Sequence, residues 1–146
     1  MVLTKKTFGL IGKNIDYSFS RSYFSKKFKK LQLTNCEYVN FDIKSIEELS
    51  TINLNEVHGF NVTIPYKTEI IKFLDKIDPE AEKIGAVNTI KINRRGLIGF
   101  NTDYIGFLKS LPRREFKRAL IFGTGGASKA IQHALSNINI PVSYTH

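Results

Sequence analysis

The run Arg118-Ala119-Leu120-Ile121-Phe122-Gly123-Thr124-Gly125-Gly126-Ala127-Ser128 joins an apolar, β-type stretch to a glycine turn and then to a helical pattern. Strand before and helix after is the context that raises such a glycine spacing above chance as a dinucleotide-binding turn. Gly123 suits the tight turn, Gly125 lets the backbone approach a pyrophosphate, and the small Ser128 stands where helix and strand must pack closely. Backbone N–H groups at the helix start, from Gly126 and Ala127 onward, favour an anionic phosphate. The candidate cofactor site is therefore Gly123, Gly125, Gly126, Ala127 and Ser128, set against the plainer reading of a β-α turn that holds no ligand. The residue that separates NAD from NADP falls about 20 residues beyond such a turn. Here that count arrives at His146, so the residues present leave both nucleotides open.

Outward from the turn, β-type runs alternate with helical patterns, which predicts an α/β chain on an open, mostly parallel sheet. Upstream, strands are expected at Thr7–Ile11, Cys36–Phe41 and Val57–Val62, and a hairpin at Val87–Ile92 and Leu97–Phe100 around Gly96. Ser20 is a candidate cap for a helix running to Leu31, with Tyr23, Phe24, Phe28 and Leu31 as its buried stripe. Ser45-Ile46-Glu47-Glu48 has capping-box spacing. A helix is expected from Pro65, with Ile70, Ile71, Leu74 and Ile77 on one face. A short helical turn follows Asp78-Pro79, and another helix spans Asp103–Leu111 with Ile105, Leu108 and Leu111 on one side. The charged segment Arg113–Lys117 breaks the pattern and divides the chain into residues 1–112 and 113–146. Beyond it come a strand at Arg118–Phe122, a helix at Ala127–Ser136 and a strand beginning at Val142–Tyr144, one β-α-β unit.

Composition bounds the alternatives. Over 146 residues, 42% hydrophobic and 24% charged content is that of a globular chain with a genuine core. The apolar runs, such as Ala119–Phe122, fall far short of the roughly 20 residues a membrane span needs. The start, Met1-Val2-Leu3-Thr4-Lys5-Lys6, has no signal-peptide pattern, and the single cysteine, Cys36, excludes an internal disulfide. A cytoplasmic location without membrane attachment is expected. The net charge of +9 comes from 22 Lys and Arg against 13 Asp and Glu. It is spread along the chain, and its densest cluster, Lys26, Lys27, Lys29 and Lys30, reads as the solvated face of a helix rather than a nucleic-acid patch.

Four polar clusters ahead of the turn are hard to explain by packing: Ser18-Phe19-Ser20, Asn61–Lys67, Gly85–Thr89 and Gly99–Asp103. In open α/β sheets the ligand crevice lies at the carboxyl ends of the strands, where the first two clusters fall. Hydroxyls and amides suit a polyhydroxylated ligand, and a lysine offers charge and a titratable proton. Each also has a plainer role. Ser20 and Asp103 can be helix caps, Lys67 a surface lysine, and Asn88 a turn residue.

In order, Ser18-Phe19-Ser20, Asn61–Lys67, Gly85–Thr89, Asn101–Asp103 and Gly123–Ser128 resemble the motifs of the shikimate dehydrogenase family, from Phe8 to the helix after the glycine turn. The resemblance implies a substrate domain followed by a Rossmann-type domain, and reduction of 3-dehydroshikimate to shikimate with NADPH. It implies that Ser18 and Ser20 bind the substrate carboxylate, that Thr63, Asn88 and Asp103 bind ring hydroxyls, and that Lys67 is catalytic with Asp103 as partner. No metal is implied. The family's Rossmann domain is longer, with a basic motif for the cofactor phosphate and a late glutamine on the substrate, which have no counterpart here. The chain is therefore expected to lack turnover by itself, and to leave the helix Ala127–Ser136 short of packing partners and prone to self-association. The competing readings are a shikimate-binding module without turnover and a quinate-using relative.

Overall fold

The computed structural model describes residues 4–112 and 116–145, so most of the expected junction at Arg113–Lys117 lies outside the described residues. The first part is an α/β layer on one mixed sheet. In chain order it runs β1 (Lys6–Gly12), α1 (Phe19–Lys30), β2 (Cys36–Asp42), two 3-10 turns (Ile46–Thr51 and Leu54–Glu56), and β3 (Val57–Val62). A third 3-10 turn (Glu69–Phe73), β4 (Lys76–Ile77), α2 (Pro79–Ile84), β5 (Thr89–Asn93), β6 (Gly96–Phe100) and α3 (Asp103–Ser110) follow. The sheet order is β2-β1-β3-β5-β6-β4. β1 runs parallel to β2 and β3, and β4 parallel to β6, while β5 pairs antiparallel with both β3 and β6. Later in the chain, β7 (Ala119–Phe122), α4 (Gly126–Asn137) and β8 (Val142–Thr145) make a parallel β-α-β unit.

Each face of the larger sheet buries its own cluster. Ile11, Phe60, Val62, Ile90 and Leu97 pack with Ile46, Leu49, Tyr66 and Ile70 under the 3-10 turns. Leu10, Ile15 and Tyr38 pack on the opposite side against Phe24 and Phe28 of α1. Fully buried aliphatics such as Ile11 and Ile70 are worth about 2–5 kcal/mol each by truncation to alanine.

Several local expectations are corrected. The segment after Pro65 is a turn and a 3-10 turn, not an α-helix, and Ile77 lies in β4. The sheet competes for this chain: Asp75 N–H donates to the Leu97 carbonyl at 3.0 Å, and Leu97 N–H donates to the Asp75 carboxylate at 2.7 Å. Helix α1 starts two residues earlier than a Ser20 cap requires, and Ser18 is the cap, accepting from Ser20 N–H at 3.2 Å. Only Phe24 and Phe28 of the expected stripe reach the core, because Tyr23 and Leu31 point away from the sheet and stay exposed. Ser45 does not cap its 3-10 turn with its side chain. In α3 the exposed Ile105 gives way to Phe107 and Tyr104, which face α4 and its strands.

The expectation that the last helix lacks partners is also overturned. Ala130 and Ala134 are fully buried and Leu135 nearly so. Ala130 packs on Ile84 and Ala86, with Tyr104 beside them. Leu135 packs with Ile121 and Ile140, with Phe107 against that cluster. The small alanines let α4 approach α2 and α3 closely, so the first part supplies the cover that further strands were expected to give.

Candidate active site

The strand ends converge on a charged cluster. Lys67 follows the turn after β3, and its main chain is pinned because Val87 N–H donates to the Lys67 carbonyl at 2.7 Å. Its neighbour Tyr66 is buried and donates its hydroxyl to the Ile43 carbonyl at 2.8 Å. Asp103 is the first residue of α3, with Thr102, not Asp103, in the cap position. Asp103 N–H donates to Asn101 Oδ1 at 3.0 Å, while the buried Asn101 amide donates to the Ala86 carbonyl at 2.9 Å. Two segments are thus fastened so that Lys67 Nζ meets Asp103 Oδ2 at 2.8 Å, with the lysine side chain only 15% exposed.

Asn88 completes the arrangement. Its Nδ2 donates to Asp103 Oδ1 at 2.7 Å and to Thr102 Oγ1 at 2.9 Å, and its Oδ1 accepts from Thr102 N–H at 2.8 Å. Both carboxylate oxygens of Asp103 are therefore engaged by donors, which fixes its plane. The lysine keeps further donor capacity beyond the carboxylate, because an ammonium carries three protons.

The glycine turn stands directly beside this cluster. A β-carbon built on Gly126 would lie 2.7 Å from Lys67 Cβ, 3.3 Å from its Cδ and 3.4 Å from Ala86 Cβ. Gly123 has φ +99°, which excludes most side chains, and a β-carbon on Gly125 would meet nothing within 4 Å. No side chain caps the start of α4, and Ser128 is buried with its hydroxyl donating to the Gly125 carbonyl at 2.7 Å. An open approach to uncapped helix N–H groups is what a dinucleotide phosphate requires. Gly123, Gly125, Gly126, Ala127 and Ser128 fit such a group.

Of the residues expected at the site, the structure joins Lys67, Asn88 and Asp103 by direct hydrogen bonds. Thr63 follows β3, donates its N–H to the Ile11 carbonyl at 2.9 Å, and holds its methyl 2.6 Å from where a β-carbon on Gly12 would sit. Ser18 and Ser20 open α1 past the end of β1, the former engaged in capping. The Ser20 hydroxyl lies beside the Tyr38 phenol and partly opposes the rise that burial imposes on that group's pKa. Residue-by-residue sequence reasoning assigned no site role to Tyr38, Asn61, Thr89, Asn101 or Thr102, all of which hydrogen-bond within or next to the cluster. For Tyr38 a signal existed: a tyrosine on the core face of a strand has a hydroxyl that needs a partner.

Among the described residues, no helix is long and apolar enough to cross a membrane. The family model for the shikimate dehydrogenase substrate binding domain matches residues 10–90. The shikimate dehydrogenase (NADP(+)) of Clostridium botulinum strain Loch Maree is 43% identical over 145 residues, covering 91% of this chain and 54% of that protein. The crystal structure of shikimate dehydrogenase 1 from Peptoclostridium difficile superposes with a TM-score of 0.88 at 39% identity, covering 97% of this chain and 55% of that one. The Thermus thermophilus shikimate 5-dehydrogenase, in complex with NADP(H) and shikimate, gives a TM-score of 0.82 at 31% identity, covering 94% of this chain and 54% of that one. The chain spans about half the length of the curated relatives it matches. With the substrate-binding domain model matched over residues 10–90 and a solved shikimate dehydrogenase superposing over 97% of the chain at 39% identity, this chain belongs to the shikimate dehydrogenase family.

Proposed function

We propose that this chain carries the substrate-binding and proton-handling part of an NADP-dependent shikimate dehydrogenase, which reduces 3-dehydroshikimate to shikimate in the cytoplasm. The observation that carries the reading is the Lys67–Asp103–Asn88 cluster packed against the glycine turn. The division that follows is a substrate domain over residues 1–112 and the opening of a nucleotide domain over 113–146. The cofactor residues are Gly123, Gly125, Gly126, Ala127 and Ser128.

Reduction of a ketone places a hydride on carbon and a proton on oxygen. NADPH supplies the hydride when bound at the turn. Lys67 holds a proton on Nζ, oriented by Asp103, and delivers it toward the oxygen on which negative charge develops. Pinning by Val87 and Asn101 removes the cost of reorganising these groups during the reaction. Thr63, Asn88 and Asp103 take the ring hydroxyls, and Ser18 and Ser20 take the carboxylate. Leu120 and Phe122 leave an apolar face on β7, 53% and 78% exposed, which we assign to self-association of the isolated chain.

The test is calorimetric titration of shikimate, and separately quinate, into the 146-residue chain. Shikimate binding that Lys67→Ala and Asp103→Asn each weaken supports the reading. Absence of binding up to concentrations on the order of 1 mM, where an affinity of about 4 kcal/mol still registers, overturns it. A preference for quinate reassigns the substrate within the same family.

A further inference from the structure

A line of hydrogen bonds crosses the sheet from α1 to the lysine. Tyr38 donates its hydroxyl to Asn61 Oδ1 at 2.8 Å, and Asn61 Nδ2 faces Thr89 Oγ1 at 3.3 Å. Thr89 Oγ1 reaches Asn88 Oδ1 at 3.1 Å, and Asn88 Nδ2 donates to Asp103 Oδ1 at 2.7 Å, opposite the oxygen held by Lys67. The direction of donation is forced at both ends. Asn88 Oδ1 accepts from the backbone N–H of Thr102, which can only donate, so Nδ2 must be the atom turned to the carboxylate. Asn61 Nδ2 also faces the Asn88 carbonyl at 3.5 Å, which turns its Oδ1 to Tyr38 and requires the phenol to donate.

Tyr38 is built to keep that role. It is 5% exposed and its ring stacks on Phe24 with centroids 4.4 Å apart and planes 12° from parallel. Burial pushes the phenol's pKa up, so it keeps its proton across the physiological range and can donate it to Asn61.

We infer that Tyr38 is a positioning residue for the Lys67–Asp103 pair, acting through Asn61, Thr89 and Asn88. This rests on the functional reading above only for its consequence, not for its geometry. Without the phenol donor, the Asn61 amide is held only by its long contacts to Thr89 Oγ1 and the Asn88 carbonyl, so the Thr89 hydroxyl and, through it, Asn88 Oδ1 are fixed less firmly beside Asp103. Asp103 and Lys67 then sample more arrangements than the one the ligand needs.

The experiment compares Tyr38→Phe, Thr89→Val and the double variant in the 146-residue chain. Tyr38→Phe keeps the ring and its stack on Phe24, and Thr89→Val interrupts the line midway at nearly constant volume. Two readouts are used: the side-chain amide NMR resonances of Asn61 and Asn88 without ligand, and the shikimate affinity. Tyr38→Phe is expected to move the Asn88 amide resonances, although Asn88 does not touch Tyr38, and to weaken shikimate binding by about threefold to tenfold, the range for one lost neutral hydrogen bond. Thr89→Val should do the same, and the double variant should be no worse than the larger single change, because both cut one line. Unmoved Asn88 resonances in a folded Tyr38→Phe chain overturn the inference, as does additivity of the two substitutions. If Tyr38→Phe does not fold, Thr89→Val alone decides by the same resonances. Moved resonances in a chain that binds no shikimate leave the positioning role standing and refute the functional reading instead.

Discussion

Gly126→Ala isolates the contact on which the site depends. Alanine at the first position of α4 brings a gain, because replacing glycine in a helix stabilises it by roughly 0.5–1 kcal/mol. Against that, the new methyl would sit 2.7 Å from Lys67 Cβ. Carbon atoms prefer about 3.5–4.0 Å, so a gap of about 1 Å must open. The opposing atom is not a flexible tip, because the Lys67 main chain is held by the Val87 hydrogen bond, and Ala86 blocks the other side at 3.4 Å. Overpacking of this kind costs about 1–3 kcal/mol, which exceeds the propensity gain. The net loss is about 1 kcal/mol, read as a fall of roughly 3 °C in the thermal midpoint of a chain this size. Shifting the lysine stem also moves Nζ off Asp103, so shikimate affinity should drop by at least about fivefold, the equivalent of about 1 kcal/mol. Gly125→Ala is the internal control: its backbone lies at φ −74°, its β-carbon meets nothing within 4 Å, and both readouts should stay at the parent values. Thermal unfolding and calorimetry on the three proteins decide. A Gly126→Ala chain with parental midpoint and affinity refutes the claim that the turn is seated on the lysine.

With NADPH and a chain extended to the length of its relatives, Lys67→Ala should reduce kcat by about 10²–10⁴ with a smaller change in KM, and Asp103→Asn should also slow turnover; activity within about threefold of the parent removes Lys67 from proton handling. Ser18→Ala and Ser20→Ala should both weaken shikimate but not an analogue without the carboxylate, while only Ser18→Ala should lower thermal stability, by about 1 kcal/mol for the lost cap; equal stability loss in both would reassign the capping. Glu80 on α2 is held below the usual carboxylate range by Lys83 and by His133 of α4, so its contribution is present at neutral pH and is lost as pH falls through its folded-state value. The thermal midpoint of the parent should therefore fall more steeply below about pH 4 than that of Glu80→Gln, and parallel curves would refute the linkage.

The glycine turn and the Asn61–Lys67 segment were legible because their residues act through local rules. A strand, a glycine turn and a helix are consecutive in the chain, β3 spans the expected Val57–Val62, and the hairpin forms around the Gly96 turn with its first strand beginning at Thr89, two residues later than expected. The failures share a different cause. The segment after Pro65 carries helical spacing, yet Asp75 bonds to Leu97, 22 residues away, and the sheet edge outweighs a preference worth tenths of a kcal/mol per residue. Likewise the apolar face of α4 looked uncovered because α2 and α3, which cover it, precede the glycine turn in sequence.

The members of the hydrogen-bonded line were out of reach for a reason of register. Within β3, alternation separates Asn61 from Phe60 and Val62, but it cannot say which face of the sheet each meets. β1 and β3 pair with a shift between Thr7 and Phe8: Thr7 lies opposite Val57, whereas Phe8 lies opposite Gly59. Continued without the shift, the pairing would set Leu10 against Phe60 and Ile11 against Asn61, carrying the amide into the cluster of Ile11, Ile70 and Ile90. With it, Leu10 lies opposite Asn61 and Ile11 opposite Val62. The asparagine thereby shares a face with Leu10 and Tyr38, and Phe60 and Val62 enter the apolar cluster. Burying an amide without partners costs about 1–3 kcal/mol, so a single extra residue in one strand decides whether Asn61 is a liability or the second link to the lysine.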